Sequence, residues 1–178
     1  MTLHVAALVL PDEIETQPEE LRNLHRQYMH YLSVPHITLY PFSMGTNLKT
    51  VVSGFNAIAS HTRSFMLTLN ELRFFGEPGN AAYIAVGYSR AFSDLHTAVF
   101  RSVQGIMEEA TWAKLYEPGI ITPHVTIGEG IPPDVLPAVK TELSGRALNL
   151  EVRIDSFSMF TKGVDGMWRV SDRFHFRE

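Results

Sequence analysis

The 178-residue chain contains no cysteine. That excludes a disulfide framework, a cysteine-ligated zinc, iron–sulfur or haem centre, and a cysteine nucleophile. It also lacks an excess of positive charge, with 15 Lys and Arg against 19 Asp and Glu and a formal net charge of −4. Proteins that track long nucleic acid draw most of their affinity from neutralising phosphates. A broad face for duplex DNA is therefore not expected, whereas a pocket for a nucleotide or an RNA terminus is compatible with this charge. No long hydrophobic run occurs either. The opening MTLHVAALVLPDEIE has an apolar stretch of about eight residues with acids behind it and no basic segment ahead, too short and wrongly flanked for a signal peptide or a membrane span. It reads as a first strand, in a protein expected to be cytoplasmic and monomeric with no membrane contact. Linkers rich in Pro, Gly or Ser are missing as well. With 45% apolar residues, one domain over 1–178 with a shared core is expected.

What the chain does have is a word said twice. Residues 34–40 read VPHITLY and residues 122–128 read TPHVTIG, so that Pro-His-apolar-Thr-apolar recurs. At this composition the word is expected at about 0.01 copies by chance. Side chains alternate faces along a strand. His36, Thr38 and Tyr40 should therefore share one face with Ile37 and Leu39 behind them, and His124 and Thr126 should share one with Val125 and Ile127 behind.

The surroundings repeat too. Thr16 with Glu19 forms a capping box, and Leu21, Leu24 and Tyr28 lie on one helical face, predicting a helix over 16–32. After the first word, Leu48, Val51, Val52, Phe55, Ile58 and Ala59 predict a second helix. A strand from Phe65 shifts phase near Asn70 and Glu71, runs to Phe74, turns at Gly76 to Gly79 and returns, as a bulged hairpin does. The second half follows suit. Leu95, Val99, Val103, Ile106 and Ala110 predict a helix over about 92–111, the second word follows, and Leu136, Val139 and Leu143 predict a short helix begun by Pro132 and Pro133. The alternation from Leu148 then shifts phase near Asp155 and Ser156 and turns around Gly163 to Gly166. His36 to His124 is a step of 88 residues, and Asn70 to Asp155 is a step of 85. The expected fold is α+β, a bilobal pseudo-two-fold repeat with two antiparallel sheets, outer helices and a central cleft, in two intertwined lobes with repeats at roughly 16–90 and 91–178.

Two imidazoles and two hydroxyls facing one cleft suit chemistry that needs a matched acid and base. A lone strand histidine is more often structural, by about four to one, but the duplicated feature here includes the polar face. Two histidines with two neutral hydroxyls are a poor zinc site, having only two good ligands, and no metal is expected. There is no G-x-S-x-G and no G-x-x-x-x-G-K-[ST], which removes the common serine-hydrolase and P-loop readings. In-line displacement at phosphorus remains. One histidine removes a proton from the attacking oxygen, the other gives one to the leaving oxygen, and Thr38 and Thr126 hold the phosphate oxygens. His4, His25, His30, His61, His96 and His175 recur in no such word and read as structural or surface residues. Arg169 and Lys162 read as solvated surface. Tyr40, Phe42, Phe75, Tyr83, Tyr116 and Trp168 could stack on a base, but aromatics in strands and turns are more often core, about three to one.

His36-Ile37-Thr38-Leu39 and His124-Val125-Thr126-Ile127 resemble the paired H-x-[ST]-x words of the two-histidine (2H) phosphoesterases, the 2′-5′ RNA ligase-like proteins. The order of elements is similar to that family over nearly the whole chain. The resemblance implies a bilobal α+β fold with a concave active site, and cofactor-free, metal-independent hydrolysis of cyclic nucleotide phosphates or 2′-5′ linkages. An RNA or nucleotide 2′,3′-cyclic phosphate is the favoured substrate, with His36 and His124 catalytic and Thr38 and Thr126 binding phosphate. A non-catalytic module that binds nucleotides or RNA on the same fold is the rival reading.

Overall fold

The computed structural model describes residues 2–10, 34–44, 47–76, 81–105, 111–143 and 148–178. The helix expected over 16–32 and the first turn at 76–79, apart from Gly76, lie outside them. Among the described residues there are eight strands: β1 (Thr2–Val9), β2 (His36–Met44), β3 (Phe65–Phe75), β4 (Ala81–Val86), β5 (His124–Gly128), β6 (Leu150–Ile154), β7 (Ser156–Lys162) and β8 (Trp168–His175). The described helices are α1 (Leu48–His61), α2 (Arg90–Val103) and α3 (Leu136–Leu143), with a 3₁₀ helix over Thr111–Tyr116.

The amphipathic spacings read from sequence bury the faces they should. Helix α1 buries Val51, Phe55 and Ala59, and α2 buries Phe92, Leu95, Val99 and Val103. Ser89 caps α2 by accepting from the Phe92 amide, satisfying one of the donors a helix start leaves unpaired. Helix α2 ends at Val103, earlier than the periodicity extended it, because Gly105 turns to a φ of +81°, where glycine carries no Cβ penalty. Ile106 and Ala110 lie outside the described residues. Short α3 buries Leu136, Val139 and Leu143 as expected.

The strands form one antiparallel sheet in the order β6-β3-β4-β5-β2-β1-β7-β8. The two sheets expected from sequence are its halves, β6-β3-β4-β5 and β2-β1-β7-β8, joined where Ile37 of β2 pairs with Val125 of β5. The terminal hairpin β7–β8 thus shares a half with β1 and β2, so the sheet crosses the sequence boundary near residue 90. Chain neighbours β6 and β7 sit near opposite ends of the strand order although only Asp155 separates them, which requires the sheet to curl.

Both expected phase shifts are real. Strand β3 slips register between Leu69 and Glu71; its earlier part pairs with β6, and from Leu69 onward it pairs with β4. At Asp155 the chain breaks into β6, which pairs with β3, and β7, which pairs with β1 and β8. One sheet face lies against α1 and α2 over the main core, where Phe55 meets the edges of Phe42, Phe157 and Phe174. On the other face Val5, Ala7 and Phe160 make a small second cluster with Val9, Val34 and Trp168 against it. Strand β1 serves both, with Ala6 and Leu8 on one side and Val5 and Ala7 on the other.

Candidate active site

Each word alternates as read. His36 and Thr38 are half-buried while Ile37 and Leu39 are fully buried, and the same holds for His124 and Thr126 against Val125 and Ile127. The pairing of Ile37 with Val125 sets the site. In an antiparallel pair this register places His36 across from Thr126 and Thr38 across from His124, all on the face opposite the two apolar residues. The histidines are then diagonal neighbours, for which a separation of roughly 7–8 Å is typical, and so are the threonines.

Tyr40 does not share that face, contrary to the simple alternation. Between β1 and β2 the register passes from Thr38 opposite Ala7 to Tyr40 opposite Ala6, so Leu39 is an extra residue. The bulge turns Tyr40 into the main core, with its ring edge-on to Phe100 at 5.1 Å. The second word does the same: Thr126 pairs with Tyr83 and Gly128 with Ala82, leaving Ile127 as the extra residue. A bulge re-aims a strand and ends its alternation. Here it ends each polar face immediately after the threonine.

The prolines have a role the sequence did not disclose. The Nδ1–H of His36 donates to the carbonyl of Val34 at 3.1 Å, and that of His124 to the carbonyl of Thr122 at 2.7 Å. In each case the acceptor belongs to the residue before the proline. The proline carbonyls accept in turn, Pro35 from the Leu10 amide and Pro123 from the Val86 amide, which pins both strand entries. Because a carbonyl only accepts, the proton of each neutral ring sits on Nδ1 and the lone pair on Nε2.

The walls around the histidines are partly matched. Phe160 lies 6.0 Å from the His36 ring and Phe75 lies 5.0 Å from the His124 ring. Tyr83 adds a second edge contact to His124 at 5.4 Å and stacks on Phe75 at 4.0 Å. Burial pushes the His124 imidazole below its ordinary pKa, opposed by the Thr122 carbonyl and the nearby Glu129 carboxylate. Tyr116, at the end of the 3₁₀ helix, shares a hydrogen bond with the Thr38 side chain, and burial and Glu129 hold its phenol above the ordinary value. Arg73 on β3 bonds both Glu71 and the Tyr83 hydroxyl.

Sequence reading left these aromatics out of the site because nothing local separates a wall residue from a core residue. The one usable signal was the 85-residue step, which relates Phe75 to Phe160 as it relates Asn70 to Asp155. The other described histidines stand apart. His4 is buried with Nδ1 against Thr161 and its ring on Phe42, His61 is bonded to the Ala57 carbonyl, and His175 is exposed. Arg169 is paired with Asp165, holding that carboxyl at about 2, and Lys162 lies over Trp168. Among the described residues no group of three His, Cys, Asp or Glu could hold a metal ion, and no helix is long and apolar enough to cross a membrane.

Known proteins share this architecture. E. coli LigT, solved with 3′-AMP, superposes with a TM-score of 0.71 over 99% of each chain at 13% identity. The Thermus thermophilus protein TT0787 gives 0.69 over 99% of this chain and 98% of its own at 18% identity. In sequence, a Geobacillus thermodenitrificans protein provisionally named a phosphoesterase is 26% identical over 148 residues, 82% of this chain and 80% of its own. A Bacillus cereus protein named in the same way is 27% identical over 161 residues, 88% of each. The 2′-5′ RNA ligase superfamily model matches residues 10–166, a span that takes in both histidine words and the strands that bring them together, and the chain belongs to that superfamily.

Proposed function

We propose that the protein is a metal-independent phosphodiesterase that opens the 2′,3′-cyclic phosphate of a nucleotide or an RNA terminus, or cleaves a 2′-5′ phosphodiester. Membership of the superfamily supports phosphoesterase chemistry. One observation carries the finer reading: the Ile37–Val125 pairing sets two Nδ1-anchored imidazoles and two threonines on one sheet face.

In the proposed reaction a neutral histidine Nε2 takes a proton from water as its oxygen bonds to phosphorus. The bond to one ribose oxygen breaks in line, and the second histidine, protonated, gives that oxygen its proton. The product is a phosphomonoester with a free neighbouring hydroxyl. Thr38 and Thr126 donate to the non-bridging oxygens where charge builds. We assign His124 as the base, since its half-buried, aromatic-walled ring favours the neutral form, and His36 as the acid. The nucleotide complexes of LigT with 3′-AMP, ATP and NADP⁺ support a nucleotide as the bound group.

A panel of 2′,3′-cyclic nucleotides, 2′-5′ dinucleotides and short RNAs with cyclic ends tests the reading in the presence of a chelator. Product from a cyclic or 2′-5′ substrate is expected. Stoichiometric binding without product would favour a binding module, and activity lost to chelator and restored by metal would overturn the two-histidine mechanism.

A further inference from the structure

The register slip between Leu69 and Glu71 changes which side chains of β3 face the histidines. Before it, Leu67 and Leu69 sit in the main core; after it, Leu72 and Phe74 pack there, so Glu71, Arg73 and Phe75 turn to the other face. Phe75 accordingly reaches the His124 ring. Arg73 stands two residues before it on the same face, and register carries it toward the second word: Arg73 pairs with Tyr83 on β4, and Tyr83 pairs with Thr126 on β5. Two strand spacings put the Arg73 and Thr126 backbones roughly 10 Å apart. Tyr83 between them is 5% exposed, a floor rather than a barrier.

The other lobe has no cation at the matching place. The 85-residue step that relates Phe75 to Phe160 relates Arg73 to Ser158, which pairs with Ala7 as Ala7 pairs with Thr38. Ser158 is buried and uncharged. Arg73, by contrast, is half-exposed, and its Nε and Nη2 both donate to one oxygen of Glu71, at 2.9 and 2.6 Å. A guanidinium carries five N–H donors in a planar fork. Glu71 therefore fixes the direction of the fork while donors remain for a second anion, and an ion pair this exposed is weak enough to share.

In a nucleotide or RNA terminus closed as a 2′,3′-cyclic phosphate, O2′ and O3′ are both taken by the cyclic ester, so any further phosphate is attached through O5′ of that ribose. We infer that Arg73 is a specificity-determining residue that binds this second phosphate while the two histidine words hold the first. The site then prefers substrates with a phosphate on the 5′ side, terminal or internucleotide, over a nucleoside cyclic phosphate alone. This rests on the proposed function for the identity of the first phosphate.

Calorimetry with three probes tests this: 3′-AMP, adenosine 3′,5′-bisphosphate and the dinucleotide ApAp, the last two carrying the second phosphate as a monoester and as an internucleotide diester. The wild type should bind a second-phosphate probe roughly tenfold more tightly than 3′-AMP, the value of one charged hydrogen bond. A gain for only one of the two supports the inference and identifies the source of the phosphate. Arg73→Gln should remove the gain, Arg73→Lys should keep part of it by retaining charge without the fork, and Glu71→Gln should enlarge it by removing a competing acceptor. If Arg73 served only to hold Tyr83 in place, Arg73→Gln would weaken all three probes alike and leave their ratios unchanged. That result would overturn the inference, as would a gain that survives in Arg73→Gln. Failure of the wild type to bind any probe would sink the proposed function and this inference together, whereas 3′-AMP binding with no gain from a second phosphate would sink this inference alone.

Discussion

The two histidine words are built on the same backbone and set in different walls. Both anchor Nδ1 on the carbonyl two residues upstream, both have the intervening proline carbonyl bonded by a backbone amide at the end of β4 or just past β1, and both bulge right after the threonine. Around them the likeness fades. Val9 and Ala7 flank His36 and Thr38 in register on β1, whereas Ala85 and Tyr83 flank His124 and Thr126 on β4. His124 meets two aromatic rings and lies near Glu129; Thr38 meets Tyr116. Matched backbones deliver four groups to one place, and unmatched walls can make two identical imidazoles do opposite jobs. Acid–base catalysis by a pair needs that difference, since one ring must start neutral and the other charged.

The comparison breaks most sharply at the histidines. His36→Ala and His124→Ala should each lower kcat/KM on a 2′,3′-cyclic nucleotide by about 10²–10⁴. The double variant should lose far less than the product of the two, because the pair acts as a unit. Near-wild-type turnover in either folded variant would refute the proposed roles.

Next in size are the residues behind the words. Leu39 and Ile127 are the bulge residues, 0% and 6% exposed. Truncation to alanine should destabilise the fold by about 2–5 kcal/mol, with Leu39→Ala the costlier because its side chain is the more completely enclosed. Denaturant midpoints at constant slope would measure this; equal or reversed costs would show that exposure does not rank the two bulges.

Thr38→Val and Thr126→Val should each reduce turnover by roughly tenfold, as expected for one lost donor of about 1.4 kcal/mol, with the unfolding midpoint little changed. A larger loss at Thr38 than at Thr126 would sharpen the difference that Tyr116 introduces.

The smallest effect is on pH. With His124 as base, activity falls on the acid side as that ring is protonated, and burial lowers its pKa from 6.5, so the acid limb should lie below the usual histidine value. Glu129 raises the His124 pKa; Glu129→Gln should move the limb further toward acid, and a shift toward alkali would contradict the placement of that charge. Stability should respond in the same sense. His4, His96 and His124 all have folded-state values below 6.5. As pH falls through 6.5 the unfolded chain takes up protons before the folded one. Thermal midpoints should therefore be highest above that value and decline below it.

Much of this was legible in the chain, because a strand writes its face in a two-residue period and a helix in a period near 3.6. His36 with Thr38 over Ile37, and Val51 with Phe55 and Ala59, are statements about neighbours in sequence. The phase shifts at Asn70 and Asp155 could be read for the same reason. A bulge without a visible phase error could not: Leu39 followed by Tyr40 looks like alternation, and only the register against Ala6 and Ala7 shows that both turn inward.

What the sequence determined by itself was the duplicated word, its polar face and its apolar backing, since these follow from local stereochemistry and the removal of apolar surface from water. The tertiary structure decided that β2 lies beside β5 across 88 residues of chain, that Phe75, Tyr83, Phe160, Tyr116 and Glu129 come to the words, and that the carbonyls before the prolines turn to the rings. Strand order and side-chain surroundings depend on contacts between residues remote in sequence, and no local period records them.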